Sequence, residues 1–453
     1  MNSYPSVLLS VRKCRTGLVT DIGAKATPAE PGSLVVEEFG RQWPLPVGGF
    51  DGCAIIEWTE EHVVVRTGRQ STTTLYYWLT ADAEELLIGT DLAELTARII
   101  AVVGTGPDRL AQIRHLRRSI RRIGGGRRVV FSGQGAGETL SVTESVCGSW
   151  DSGVHPGESA VEAGNRQIAA LRRAIGSAGD PRPVTAVVSG GVDSALVAVL
   201  AQQAGILDHL ATLGTPWGDE YASADELGAH LGMPVQHVAL SAEEILRALP
   251  ETVRMLGEPG REIVAGGVGL VAVYRQRKIP VGTVLTGVGS DVINSGLRVD
   301  AGPVPDLHHA VTELLADPSL ARELSGVAAA AHGYVLRHMY WDPAVIQAAL
   351  DTAPEVMRYR DREKGHIRAA ASALLPDVVA WRRKQALHHG TGIERSLDGA
   401  VAGLLGVHAV DVERFYELIH AELVDALVAA PDAPIDTDTC LDAATSAYLR
   451  ENY

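Results

Sequence analysis

The amino-acid sequence predicts an α/β protein of two parts. Residues 1–150 read as a β-rich sandwich, and residues 156–453 as a doubly wound parallel sheet that ends in a helical carboxyl-terminal part. Three observations predict this. Short apolar segments separated by turn residues fill the first third. From Ser159 onward, continuous apolar runs alternate with helically spaced ones, and a glycine turn joins one of those runs directly to a helix.

In the first part, residues 62–66, 74–79 and 86–90 have strand character, with turns at Thr67-Gly68 and Ala81-Asp82. Helices are expected over 91–102 and 107–120, then a hairpin of 127–131 with 139–142. The Gly133-x-Gly135-x-Gly137 run between its arms leads into a strand, so it is a turn and not a dinucleotide loop. Trp150 to Gly157 is the linker. Beyond it the pattern reads helix 160–175, strand 184–188, helix 195–203, strand 209–213, helix 222–231 and strand 236–240. Helices 243–256 and 268–277 and strand 281–286 complete the alternation. After Ala301 the chain reads as almost all helix, over 307–315, 319–331, 343–350, 363–373 and 397–405.

In a parallel sheet, ligands gather at the carboxyl ends of the strands. The first such end carries Ser189-Gly190-Gly191-Val192-Asp193-Ser194. Glycines let backbone amides approach a phosphate, and serine hydroxyls with a helix N-terminus favour its charge. The lysine of a P-loop is missing, and an aspartate stands where anions should bind. That aspartate makes sense as a magnesium ligand. A second strand end, Thr286-Gly287-Val288-Gly289-Ser290-Asp291, also places an aspartate after small residues, so Asp193 and Asp291 form a candidate Mg2+ pair. A third strand end is Leu213-Gly214-Thr215.

Composition narrows the partners. Lys and Arg number 40 against 55 Asp and Glu, a net charge of −15, which argues against a general nucleic-acid surface. The arginines between Arg114 and Arg128 lack interleaved aromatics and suit a solvated helix or a domain seam. No apolar run is long enough to span a membrane, and Met1-Asn2-Ser3-Tyr4-Pro5 lacks a secretory pattern. Cys14, Cys53, Cys147 and Cys440 are scattered without a CxxC pair. A reduced, cytoplasmic protein is the expectation.

The hexapeptide Ser189 to Ser194 resembles the pyrophosphate-binding loop of the ATP pyrophosphatases, which split ATP into AMP and pyrophosphate. Three further stretches extend the likeness over nearly the whole chain: Thr286 to Asp291, Tyr340-Trp341-Asp342-Pro343, and Arg382-Arg383-Lys384-Gln385-Ala386-Leu387-His388-His389-Gly390-Thr391-Gly392. Together they resemble the asparagine synthetase family, most of all its β-lactam and carbapenam synthetase branch. The resemblance implies an amino-terminal glutaminase-like (Ntn) domain, carried by Leu75-Tyr76-Tyr77 and the helix after it. It also implies a carboxyl-terminal ATP-pyrophosphatase (PP-loop) domain. In the family, glutamine hydrolysis needs a cysteine at the mature N-terminus. Here position 2 is Asn2, and Cys14 lies too far in, so the first domain is expected to be degenerate and the nucleophile to be a substrate amine.

By the same resemblance, Val187, Ser189, Gly190, Gly191, Asp193, Ser194, Leu213 and Gly287 would bind ATP, and Asp193 and Asp291 would hold Mg2+. Lys364 matches the family's pyrophosphate-contacting lysine, and Lys384 its essential lysine of the amide-forming step. The Gly390-Thr391-Gly392 segment would close over the intermediate. Glu323 falls at the glutamate that supports a tyrosine base in the lactam synthetases, but the tyrosine position is Val288. Three readings stay open: Glu323 acts alone, the amine arrives neutral because its pKa is low, or the acyl group passes to another acceptor. Tyr221, Tyr334 and Tyr340 are candidates for a substitute hydroxyl. The expected partner is a small molecule or peptide carrying a carboxylate and an amine, without nucleic acid or membrane, and a homodimer is left open.

Overall fold

The computed structural model describes residues 7–14, 17–22, 33–37, 53–71, 74–133, 139–178, 181–257, 260–295, 306–319, 326–383 and 387–452. Its first ten strands are β1 (Leu8–Cys14), β2 (Gly17–Ile22), β3 (Ser33–Glu37), β4 (Cys53–Trp58), β5 (His62–Thr67), β6 (Leu75–Leu79), β7 (Glu85–Gly89), β8 (Arg121–Ile123), β9 (Arg127–Ser132) and β10 (Ser141–Val146). They form two five-stranded sheets, ordered β2-β1-β7-β6-β8 and β10-β9-β5-β4-β3, with antiparallel pairing throughout. Alternation along the strands sends Leu9, Val11, Leu86 and Ile88 of one sheet and Ile56, Val63, Val65 and Phe131 of the other into a single core. The 127–131/139–142 hairpin is present as β9 and β10, and the glycine turn between them lies outside the described residues.

The opposite face of the first sheet carries Tyr76, Trp78 and Leu87 and lies against the helices Leu92–Val103 and Arg109–Ser119. Asp91 starts the first of these, accepting hydrogen bonds from the amides of Ala93 and Glu94. Residues 150–157 carry no regular element.

A further sheet follows, built from β11 (Val184–Val187), β12 (His209–Thr215), β13 (Gly218–Asp219), β14 (Val235–Ala239), β15 (Thr283–Thr286) and β16 (Val335–His338). Its parallel strands run β14-β12-β11-β15-β16, and β13 folds back antiparallel on the end of β12. The chain builds outward from β11 through β12 to β14, then returns to the other side of β11 for β15 and β16. The order therefore reverses between β11 and β15, where open sheets of this type form a crevice.

Several elements differ from expectation; the helix read over 268–277 is Arg261–Arg275, starting seven residues earlier. The helix after β11 is Val192–Gln203, three residues earlier than read, so Asp193 and Ser194 belong to its first turn. The stretch 243–256 is two helices, Ala242–Arg247 and Leu249–Leu256, because the chain turns at Ala248 just before Pro250. The part after Ala301 is not all helix, since it supplies β16. It also ends in two long helices, Val412–Ala429 and Thr437–Asn452. Together with the helices at Leu92 and Leu249, they enclose one apolar core that joins residues 76–120 to residues 211–448. No described helix is long and apolar enough to cross a membrane.

Candidate active site

The loop after β11 is shaped by close approach. Gly190 has φ +67°, and a Cβ there would lie 2.3 Å from Ser223 Cβ. Only glycine suits both conditions. Gly191 is the N-cap of the helix Val192–Gln203 and offers no side chain to its first-turn amides, which leaves those amides for an anion. The Ser194 hydroxyl donates to Gly191 O (3.3 Å) and accepts from the Ser189 amide (3.1 Å), with the Ser189 hydroxyl 3.4 Å away.

After β15, the second loop presses against this one. A Cβ on Gly287 would stand 2.6 Å from Ser194 N, so the two strand ends meet backbone to backbone. The short helix Ser290–Ser295 then begins, with Asp291 in its first turn. Ser290 Oγ donates to Asp193 Oδ1 at 2.6 Å. Lys364 Nζ lies 2.5 Å from Asp193 Oδ2 and 2.6 Å from Asp291 Oδ1. Its side chain is 2% exposed, against 10% for Asp193 and 23% for Asp291. Burial pulls the Lys364 ammonium below its ordinary value, and Asp193 opposes that pull.

Lys364 reaches this position through packing elsewhere. It caps the helix Gly365–Ala371 in a left-handed conformation, φ +56°. That helix lies so close to Ala160–Gly176 that a Cβ on Gly164 would be 2.1 Å from His366 O. Arg360 and Asp361 are left-handed as well, each at φ +53°, in a tight turn closed by hydrogen bonds between Tyr359 and Arg362. Three such non-glycine residues within five positions mark backbone strain held by its surroundings, a pattern typical of functional sites.

Charged groups also fix the neighbouring segment. Arg368, 4% exposed, donates to Ala380 O and Arg382 O at 2.8 Å each. Arg382 in turn donates to Gly190 O at 3.2 Å and pairs with Glu226. The 380–382 segment is thus tied to the β11 loop. Neither Arg368, Arg382 nor Ser290 was singled out from sequence. Arg382 and Ser290 stood inside the quoted motifs without a role, whereas nothing about Arg368 marked it.

The structure brings Val187, Ser189, Gly190, Gly191, Asp193, Ser194, Gly287, Asp291 and Lys364 together at the carboxyl ends of β11 and β15. Leu213 lies two residues inside β12, with its side chain in the core beside Gly269. Glu323 and Lys384 lie outside the described residues, as do Asn2 and the 384–386 segment. Val288 is 37% exposed at the end of β15.

The three tyrosines separate clearly. Tyr334 donates to Ile279 O and precedes β16, at the far end of the sheet. Tyr221 stacks on His237 with ring centroids 4.2 Å apart, beside Gly214. Tyr340 is fully buried, and its burial and the Asp193 charge push its phenol well above the ordinary value. It stays protonated and cannot serve as a base.

The carboxylates of Asp193 and Asp291 converge on one point, and with one ammonium between them the trio sums to −1. Hard oxygen ligands with residual negative charge fit Mg2+. The chain belongs to the asparagine synthase family, whose profile matches residues 169–306 and 306–448. It is similar to carboxyethyl-arginine beta-lactam-synthase of Streptomyces clavuligerus, 29% identical over 276 residues, which covers 60% of this chain and 53% of that protein. It is also similar to the glutamine-hydrolyzing asparagine synthetase B of Escherichia coli (strain K12), 24% identical over 230 residues, covering 46% and 42%. The chain thus matches about half the length of these curated relatives. Among solved structures, NMN synthetase from Francisella tularensis covers 65% of this chain and 95% of its own at 13% identity, with a TM-score of 0.27. The glutamine phosphoribosylpyrophosphate amidotransferase from B. subtilis covers 63% and 69% at 8% identity and a TM-score of 0.19. Overlap that loose carries no argument.

Proposed function

We propose that the protein is an ATP-dependent, AMP-forming amide synthetase. A substrate carboxylate oxygen attacks the α-phosphorus of ATP, the bridging P–O bond breaks, and pyrophosphate leaves. An amine then attacks the acyl carbon, the anhydride C–O bond breaks with release of AMP, and the nitrogen gives its proton to a base. We read the amide as an intramolecular lactam in a specialised-metabolite (antibiotic) precursor, made in the cytoplasm without glutamine hydrolysis. Residues 1–150 then serve as a degenerate glutaminase-like domain, and residues 156–453 as the PP-loop synthetase domain.

The observation that carries this reading is the meeting of Asp193, Asp291 and Lys364 at the reversal between β11 and β15. In this reading the Ser189–Ser194 loop cradles the phosphates with its amides and hydroxyls, and Val187, Leu213 and Gly287 border the nucleotide. Asp193 and Asp291 would hold Mg2+, which when bound neutralises phosphate charge. Lys364 contributes a buried positive charge to the pyrophosphate. Lys384 is proposed for the amide-forming step, and Glu323 for the proton.

A second reading keeps the activation step but takes the amine from a separate molecule or a peptide terminus. An exposed valine transfers no proton, so a nucleophile of low pKa suits this site.

Pyrophosphate release tests the proposal. The protein is incubated with ATP, Mg2+ and a panel of amino-substituted carboxylates. Release should depend on one class of carboxylate and fall at least about 100-fold in Lys384→Ala and Asp291→Asn, the scale of losing a charge-stabilising group. Substrate-independent release that both variants retain refutes it. Products that contain an added amine rather than a ring assign the second reading.

A further inference from the structure

We propose that His388, His389 and Glu394 form a site for a divalent d-block cation, best suited to Zn2+, separate from the Asp193–Asp291 pair. One ligand atom from each of the three side chains lies within 4.8 Å of the other two. The His388 and His389 rings meet edge to face at 4.4 Å, and His389 Nε2 is 2.6 Å from Glu394 Oε2. Two imidazoles and a carboxylate suit zinc, whereas magnesium favours sites built from oxygen alone. Three protein ligands leave a fourth position to solvent or a small ligand.

The backbone holds this cluster in place before any ion arrives. His388 and His389 sit on the short helix Leu387–Gly390. Thr391, fully buried, donates from Oγ1 to Leu387 O at 2.7 Å, and its carbonyl accepts from Thr215 Oγ1 at 2.6 Å. Gly392 then reverses the chain at φ +70°, with Trp217 O too near for a Cβ. The helix Ile393–Leu405 therefore starts with Glu394 turned back toward the histidines. Ordering costs at the ligands are small when the turn between them is already fixed. Glu394 also lines a cavity of about 240 Å³ with Arg261, Glu262, Arg395, Leu397 and Asp398, which leaves room beside the cluster for a further ligand.

Thr215, Trp217 and Gly218, which receive this segment, form the end of β12 and its turn into β13. A bound cation would cross-link the helices Leu387–Gly390 and Ile393–Leu405 beside that strand end.

The test uses tag-free full-length protein freed of metal with a chelator and dialysed against Zn2+ alone, with bound zinc counted by mass spectrometry. The wild type should bind one more zinc per chain than His388→Ala/His389→Ala, and Glu394→Gln should weaken that site about tenfold or more, since even outer partners of metal ligands contribute on that scale. Co2+ in place of zinc should give the visible bands of a four-coordinate site in the wild type and not in the double variant. Equal zinc content in the wild type and the double variant, with both folded by circular dichroism, overturns the proposal and leaves His389–Glu394 as a surface ion pair.

Discussion

Arg254 Nε lies 2.6 Å from Asp91 Oδ2, and the two side chains are only 5% and 3% exposed. Asp91 belongs to the β-rich part and Arg254 to the helix Leu249–Leu256, so this buried pair bolts the two parts of the chain together. The other oxygen of Asp91 caps the helix Leu92–Val103. One carboxylate thus serves a helix end and an interface.

Asp91→Ala should therefore cost about 3–5 kcal/mol for breaking a buried ion pair and about 1 kcal/mol for the cap. Asp91→Asn keeps a capping oxygen and should recover the smaller part alone. Urea denaturation at neutral pH checks the order, and equal losses for the two variants would contradict it.

Gly287→Ala addresses the contact between the two strand-end loops. The added methyl would stand 2.6 Å from Ser194 N and 2.9 Å from Asp193 C. Backbone has to move there, so the Asp193–Asp291 spacing opens. Pyrophosphate release should drop about 100-fold, as misplacement by about 1 Å can cause, with a stability loss of about 1–3 kcal/mol. Gly176→Ala is the control, since a Cβ there meets nothing within 4 Å. That variant should match the wild type in rate and lose no stability.

Two fully buried histidines make stability sensitive to acid. Burial pulls His366 and His420 down from 6.5 to about 3. Their unfolded forms bind protons below about 6.5 while the folded forms stay neutral, so the unfolded state takes up more protons and stability falls as pH drops from 6.5 toward 3. Each contributes a slope of up to about 1.4 kcal/mol per pH unit. Urea midpoints at pH 7.5, 6 and 5 should decline in the wild type and decline less in His420→Leu. An unchanged slope in that variant would remove His420 from the account.

Much of the architecture was legible because its signals are local. The run at 184–188 is rich in β-branched residues, the run at 209–213 carries Leu210, Ala211 and Leu213, and both, flanked by helical spacing, are strands β11 and β12. The strand β16 was not legible. Val335-Leu336-Arg337-His338 is four residues long, mixes charge with apolar groups, and gains its state from pairing with β15. The start of the helix at Val192 was missed for a related reason: its N-cap is Gly191, which bears no capping side chain.

The site divides in the same way. Motif likeness marked Asp193, Asp291 and Lys364, and local chemistry alone joined the first two as ligands of one ion. That Lys364 sits between both carboxylates follows from a helix packed 171 positions farther along the chain. The proximity of Gly164 to His366 decides that placement, and no spacing in the sequence encodes it.

The core that joins residues 76–120 to 211–448 has an evolutionary consequence. The first third of the chain cannot be discarded even if it has no chemistry left to perform. A truncation at residue 156 would strip Tyr76, Leu92, Leu95 and Ile99 from the apolar groups of Leu249, Val253 and Leu423 that share their core. The remainder would expose that apolar surface to water, so packing alone is reason enough to keep the first third.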